Sequence, residues 1–159
     1  MSARAESLAT QFEAKAAEMT ALISNLSDAD WKKTTSAEGW SVGITAHHVA
    51  GAHEAILGIV KTLASGQSIP NFTMAMLNDL NAKHAREHAG CTKAETLALH
   101  QRGAAAAAAG LRALSDAELD RRGTVLAEAP PLTTQQAIEG ILINHIVEHL
   151  GSIRKTLGR

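Results

Sequence analysis

The chain has 159 residues, a formal net charge of −1 and 45% hydrophobic residues, with 3% aromatics and no tyrosine. That length fits one domain, residues 1–159, able to bury a core without covalent staples. The near-neutral charge and the scarcity of aromatics remove the usual electrostatic and stacking grounds for binding nucleic acid or an anionic membrane. A single cysteine, Cys91, excludes an internal disulfide. The N-terminus has no apolar stretch of signal-peptide type, and no apolar run reaches membrane-spanning length. A cytoplasmic protein is expected. Alanine and leucine dominate the apolar residues, which favours helix over strand.

Leu8, Phe12, Ala16, Met19, Leu22, Ile23 and Leu26 recur at three- and four-residue steps and predict a first helix from about residue 5 to 26. Ser27 to Trp31 reads as a short turn and Thr34 to Gly39 as a polar loop. Ser41 is placed to cap a second helix that runs to about Ala64, with His48, Ala52, Ile56, Ile59 and Leu63 on one stripe. Phe72 to His88 reads as a further helix with Leu77, Leu80 and Ala85 on its apolar side. Thr92 and Glu95 form a capping box that starts the next helix, which continues to about Leu114. Its alanine run, Ala104 to Ala109, predicts a close approach by another helix. Ser115 and Glu118 form a second box before a short turn. Ala127 to Pro131 is a linker, and Thr133 with Gln136 caps a last helix reaching about Leu157. No strand alternation, Gly-rich phosphate loop or repeat appears. The pattern predicts an all-α four-helix bundle with short extra helical segments.

The histidines carry the chemistry. His145 and His149 are four residues apart, so a helix puts both rings on one face, the spacing by which two helical histidines grip one metal. They share a core-facing stripe with Ile138, Ile141, Leu142 and Ile153. A lone inward histidine is more often a hydrogen-bonded core residue than a ligand, but buried ring nitrogens need partners. His48, on the stripe of the second helix, supplies a third ligand. Three imidazoles leave coordination positions open, as in a catalytic metal site. His84 and His88 share the same spacing, but Lys83, Arg86 and Glu87 around them point to a solvated face. His47 must diverge from His48 by about 100°. His53 is expected to face solvent or a helix boundary, and His100 has no evident partner. Cys91 reads as an incidental cap residue, although a helix N-terminus would lower its pKa. Glu148 falls off the face of the pair. Arg154 could meet an anionic substrate, but a surface role is the simpler reading.

The Trp40-Ser41 start followed by His47-His48-Val49, together with the later Asn144-His145-Ile-Val-Glu-His149 segment, resembles the DinB-like superfamily in motif and helix order over essentially the whole chain. The resemblance implies a metal-binding four-helix bundle with His48, His145 and His149 as the triad, His48 being preferred to His47 by its distance from Trp40. It implies a divalent metal (Ni, Zn, Fe or Mn) and frequent homodimers. Relatives include the N-terminal domain of mycothiol-dependent maleylpyruvate isomerase and bacillithiol S-transferases, which implies a low-molecular-weight thiol as cosubstrate. Two departures stand out. Relatives often carry an acid where this chain has Ile44, and the isomerase has a C-terminal domain whereas this sequence ends at Arg159, just past the last helix. That domain contributes to thiol and substrate binding, so the resemblance alone does not imply the isomerase's own activity. The expected function is activation of a small thiol or water for transfer, isomerisation or hydrolysis of a small-molecule substrate. The alternatives are a metal- or ligand-binding module without turnover, and a purely structural bundle.

Overall fold

A computed structural model describes residues 2–159. Its long helices are α1 (Ala3–Ser24), α3 (Val42–Ala64), α5 (Lys93–Arg112) and a C-terminal rod. The rod consists of α7 (Thr134–Ala137), a π-helical stretch (Ile138–Ile143) and α8 (Asn144–Leu157). Around the bundle the order is α1, α5, α3, rod, so α1 and α3 are diagonal. Phe12, Met19, Ile23, Leu63, Leu111, Ile138, Leu142, Ile146 and Ile153 fill the centre. Three short elements complete the helices: α2 (Asp28–Lys32), α4 (Met74–Glu87) and α6 (Asp116–Asp120). No described helix is long and apolar enough to cross a membrane.

The helix starts follow from their caps. The side chains of Ser41, Thr92, Ser115 and Thr133 each accept the backbone N–H three residues on, and all but Ser41 complete a capping box. Two expected turns prove to be helices. Ser27 caps α2 with Asp30 closing its box, and Ser115 caps α6 in the same way. A two-residue antiparallel ladder, β1 (Arg122–Gly123) with β2 (Leu132–Thr133), is added to the expected all-α pattern. It is too short to show alternation.

The α5–α3 contact is closer than alanine alone would give. A Cβ on Gly110 would lie 2.8 Å from Leu57 Cδ1, and one on Gly103 would lie 3.3 Å from His53 Cβ. Between these glycines Ala107 and Ala108 are buried, while Ala105, Ala106 and Ala109 are exposed. Small residues therefore do set the interaxial distance, but glycines mark the nearest points.

His53, expected to face solvent or a helix boundary, and His100, expected to have no evident partner, are instead buried against each other. They are 1% and 0% exposed, and His53 Nε2 lies 2.9 Å from His100 Nδ1. His100 Nε2 is 2.9 Å from the Ala16 carbonyl, which can only accept. The Nε2–H of His100 therefore donates to Ala16, its Nδ1 accepts, and His53 donates to it. This chain of bonds ties α3 and α5 to α1. Burial, reinforced by His100, pushes the His53 ring down from 6.5 to about 3.

The α4 helix is the outlier. Thr73 caps it, yet none of its residues is buried, and Leu80, expected on its apolar side, is 54% exposed. Leu77, Asn81, His84, Ala85 and His88 form its half-buried stripe.

Two predictions follow from this packing. A Cβ on Gly43 would overlap the Trp31 ring, whose indole N–H is fixed on the Cys91 carbonyl. Gly58, on the same helix, faces open space. Urea unfolding should show Gly43→Ala less stable by about 1–3 kcal/mol and Gly58→Ala more stable by about 0.5–1 kcal/mol; equal effects would contradict the packing. Below pH 6.5 the unfolded chain protonates His53 while the folded chain does not. Stability of the metal-free chain should therefore be full above that value and fall as pH drops toward 3. His53→Gln should flatten the slope by up to about 1.4 kcal/mol per pH unit, and an unchanged slope would exclude a neutral, buried His53.

Candidate metal centre

Consecutive residues on α3 point in directions about 100° apart. His48 turns toward α8 and His47 toward α4. On α8, His145 and His149 lie one turn apart and face His48. Each of the three rings offers a nitrogen, and these nitrogens lie within 4.8 Å of one another. His48 Nε2 is 2.9 Å from His145 Nε2, and the His48 ring centroid is 5.0 Å from that of His149. Trp40 meets His48 edge-on at 5.2 Å. The structure thus brings the three expected residues together.

Their setting differs from the expected one in a single respect. The core side of α3 is Val42, Ala46, Val49, Ile56 and Val60, and that of the rod is Ile138, Leu142, Ile146 and Leu150. The histidines sit half a helix face away from these stripes, with Ala52, Ile59 and Ile141, on the wall of an open cavity of about 1060 Å³. They are half-buried rather than central. Four-residue steps along the core side of the rod exceed the 3.6 of an α-helix, and the wide i→i+5 turn at Ile138–Ile143 accommodates them.

Glu38 is the site residue that the sequence reading missed. It lies in the loop before α3, which closes on itself. The Thr35 N–H donates to the Trp40 carbonyl at 2.8 Å, and the Gly39 N–H donates to the Thr35 carbonyl at 3.0 Å. Gly39 takes φ +71°, a left-handed conformation that glycine adopts without strain. Glu38 Oε1 lies 2.8 Å from His149 Nδ1, and Oε2 accepts from the Ser152 hydroxyl at 2.6 Å. The Glu38 and His149 side chains are 10% and 16% exposed. Burial pushes the Glu38 carboxyl up, but hydrogen bonds from Ser152, Thr35 and His149 outweigh it and hold the group below its ordinary value. An ionised carboxylate only accepts, so His149 Nδ1 carries a proton, and in the ligating form of the ring Nε2 is the nitrogen left to bind a metal. This is the outer-shell arrangement found around metal-ligating histidines.

Burial, then the neighbouring His149 and His84, pushes His48 down to about 4. Burial followed by His149 and His48 pushes His145 down as well. Neutral imidazole is the ligating form. His145 also has its Nδ1 buried without a hydrogen-bond partner. In a tetrahedral site with bonds of 2.0–2.1 Å, ligand nitrogens stand on the order of 3.3 Å apart. The cluster therefore needs only small ring movements to take a divalent cation. Among the described residues the cavity wall carries no lysine or arginine, and Glu38 is its one carboxylate. The donor set fits a metal.

The remaining candidates separate cleanly. His84 and His88, read from sequence as a solvated pair, instead face the same cavity and meet His47, with His47 Nδ1 2.9 Å from His84 Nε2. The charged neighbours misled because they occupy the opposite face, where Lys83 and Glu87 pair at 3.7 Å. Cys91 lies off the cavity wall, and burial pushes its thiol up rather than down. Glu148 accepts from the Asn144 amide on the exposed side, and Arg154 lies 3.3 Å from Glu18. Ile44, where relatives often have an acid, is also off the cavity wall.

A helical bundle whose cavity wall gathers three histidines from two helices defines a class of candidate metal-binding bundles. The sequence model of the DinB superfamily matches residues 11–153, and the chain belongs to that superfamily. Among solved structures, the chain is similar to mycothiol-dependent maleylpyruvate isomerase, with 14% identity and a TM-score of 0.73 over 96% of this chain. It spans 63% of the length of that isomerase. It is also similar to YfiT from Bacillus subtilis, described as a probable metal-dependent hydrolase with an unusual four-helix bundle topology. There the identity is 18% and the TM-score 0.75, over 99% of this chain and 90% of the other. At these identities the likeness shows the fold. No curated protein sequence matches the chain at a significant level.

The Glu38–His149 geometry makes a metal-free prediction. Long-range proton–nitrogen NMR correlations should show His149 as the Nδ1–H tautomer, and Glu38→Ala should convert it to a mixture. A wild-type Nε2–H tautomer would contradict the assignment.

Proposed function

We propose that this chain is a metal-dependent enzyme in which His48, His145 and His149 hold one divalent cation beside a substrate cavity. The observation that carries this is the convergence of three imidazoles, one of them oriented by Glu38, on the wall of an apolar cavity. Imidazole donors suit zinc, nickel and iron better than manganese, which prefers carboxylate oxygens. When bound, such a cation acts as a Lewis acid that lowers the pKa of a water or thiol at its open positions.

The chain's own residues do the rest. Glu38 holds the His149 ring in one tautomer, and Trp40 packs against His48. Ile59, Phe72, Leu77, Leu126 and Ile141 give the cavity an apolar wall that limits water and suits the hydrocarbon body of a small electrophile. Transfer of a low-molecular-weight thiol, thiol-assisted isomerisation and hydrolysis all fit this layout. The neighbours described as an isomerase and as a probable hydrolase support the same range. A cytoplasmic homodimer is part of the proposal.

One observation favours a second reading, a metal- or ligand-binding module without turnover. Glu38 is the cavity's one carboxylate, and both of its oxygens are engaged, which leaves no free carboxylate as general base.

Tag-free protein should take up zinc or nickel at this site, and His145→Ala/His149→Ala should lose it. Glu38→Ala should weaken uptake about 10–100-fold. Equal uptake by the double variant would remove the triad. Metal-loaded protein given a small thiol and a chromogenic electrophile, or an ester, should turn over faster than the double variant. A rate at background for every pair tried would favour the binding module.

A further inference from the structure

The same cavity carries a second group of three histidines. His47, His84 and His88 each offer a ring nitrogen, and these lie within 4.8 Å of one another. The His47 ring stacks on that of His88 at 4.2 Å and 23°, and on that of His84 at 5.1 Å and 29°. His84 Nδ1 is buried with no hydrogen-bond partner. The group repeats the design of the first: one histidine from α3 facing an i, i+4 pair on another helix. The two groups are adjacent, with His48 and His84 centroids 5.4 Å apart.

The helix that supplies the pair has little else to hold it. None of its residues is buried, and Met74, Met76 and Leu80 are exposed. Its N-terminus is fixed by the Thr73 cap and by the Glu128 carboxylate on the Met74 N–H. Toward its C-terminal end, His84 and His88 meet His47. Leu77, Leu80 and Asn81 of this helix form one wall of the cavity.

We propose that His47, His84 and His88 form a second divalent-cation site, which fastens α4 over the cavity. The donors are all imidazole, so the cation is of the zinc, cobalt(II), nickel or copper(II) class rather than magnesium or calcium. A metal bridging α3 and α4 supplies the anchorage that buried apolar residues do not. The proposal stands independently of the first site, because it uses none of the same ligands.

The test is a cobalt(II) titration of chelator-stripped, tag-free protein, read by bound metal per chain and by amide exchange in α4. Wild type should bind two equivalents. His84→Ala/His88→Ala should bind one, as should His47→Ala and His145→Ala/His149→Ala. Cobalt binding should slow exchange across residues 77–88 in wild type and in His145→Ala/His149→Ala, but not in His84→Ala/His88→Ala. Two equivalents in His84→Ala/His88→Ala, or a single equivalent in wild type that His84→Ala/His88→Ala keeps, overturns the proposal. Two equivalents in His47→Ala also overturn it, because the helical pair alone would then be binding. Loss confined to the α4 variants, with uptake by His145→Ala/His149→Ala unchanged from wild type, would retain this site and remove the first.

Discussion

Six imidazoles turned toward one apolar-walled cavity must find partners, and that requirement organises this end of the bundle. It begins with two consecutive histidines on α3. Helix geometry forces them to diverge, so His47 and His48 cannot serve the same centre. Each instead meets a pair spaced by one turn on a different helix. The rod brings His145 and His149 to His48, and α4 brings His84 and His88 to His47. The pairs can do this because their helices flank the open side of α3, whose other side is committed to the core through Val42, Val49 and Val60.

The supporting structure serves the same end. The π-helical turn carries the rod's core contacts at four-residue steps, so that Leu142, Ile146 and Leu150 stay inside while His145 and His149 face the cavity. The self-closed loop before α3 delivers Glu38 to His149 and Trp40 to His48. A different polar solution operates deeper in the bundle. There His53, His100 and the Ala16 carbonyl satisfy one another in series, with no cation needed. The two arrangements separate a structural histidine from a candidate ligand: both nitrogens of His100 are paired within the protein, whereas His145 and His84 each keep a buried nitrogen without a partner.

Much of this was legible in the sequence. The caps at Ser41, Thr92 and Thr133 marked helix starts, because a side chain three residues from an unpaired N–H leaves a local signature. His48, His145 and His149 were readable from helical spacing and from the Trp40-Ser41 register. Glu38 was not, because a loop has no periodicity to show which side chain points inward. His84 and His88 were misread because charged neighbours describe the opposite face of their helix. The stripes of His48 and of the pair on the rod were placed half a face too deep. An apolar residue lining a cavity and one filling a core look alike in a hydropathy pattern. The π-helical turn within Ile138–Ile143 and the ladder at Arg122–Gly123 leave no local trace of their own.

Zinc-edge anomalous diffraction from crystals grown with the metal addresses the first centre most directly. A peak bonded to ring nitrogens of His48, His145 and His149, at about 2.0–2.1 Å from each, is the expected result. Peaks confined to other parts of the molecule, with none among those three rings at saturating zinc, would contradict it.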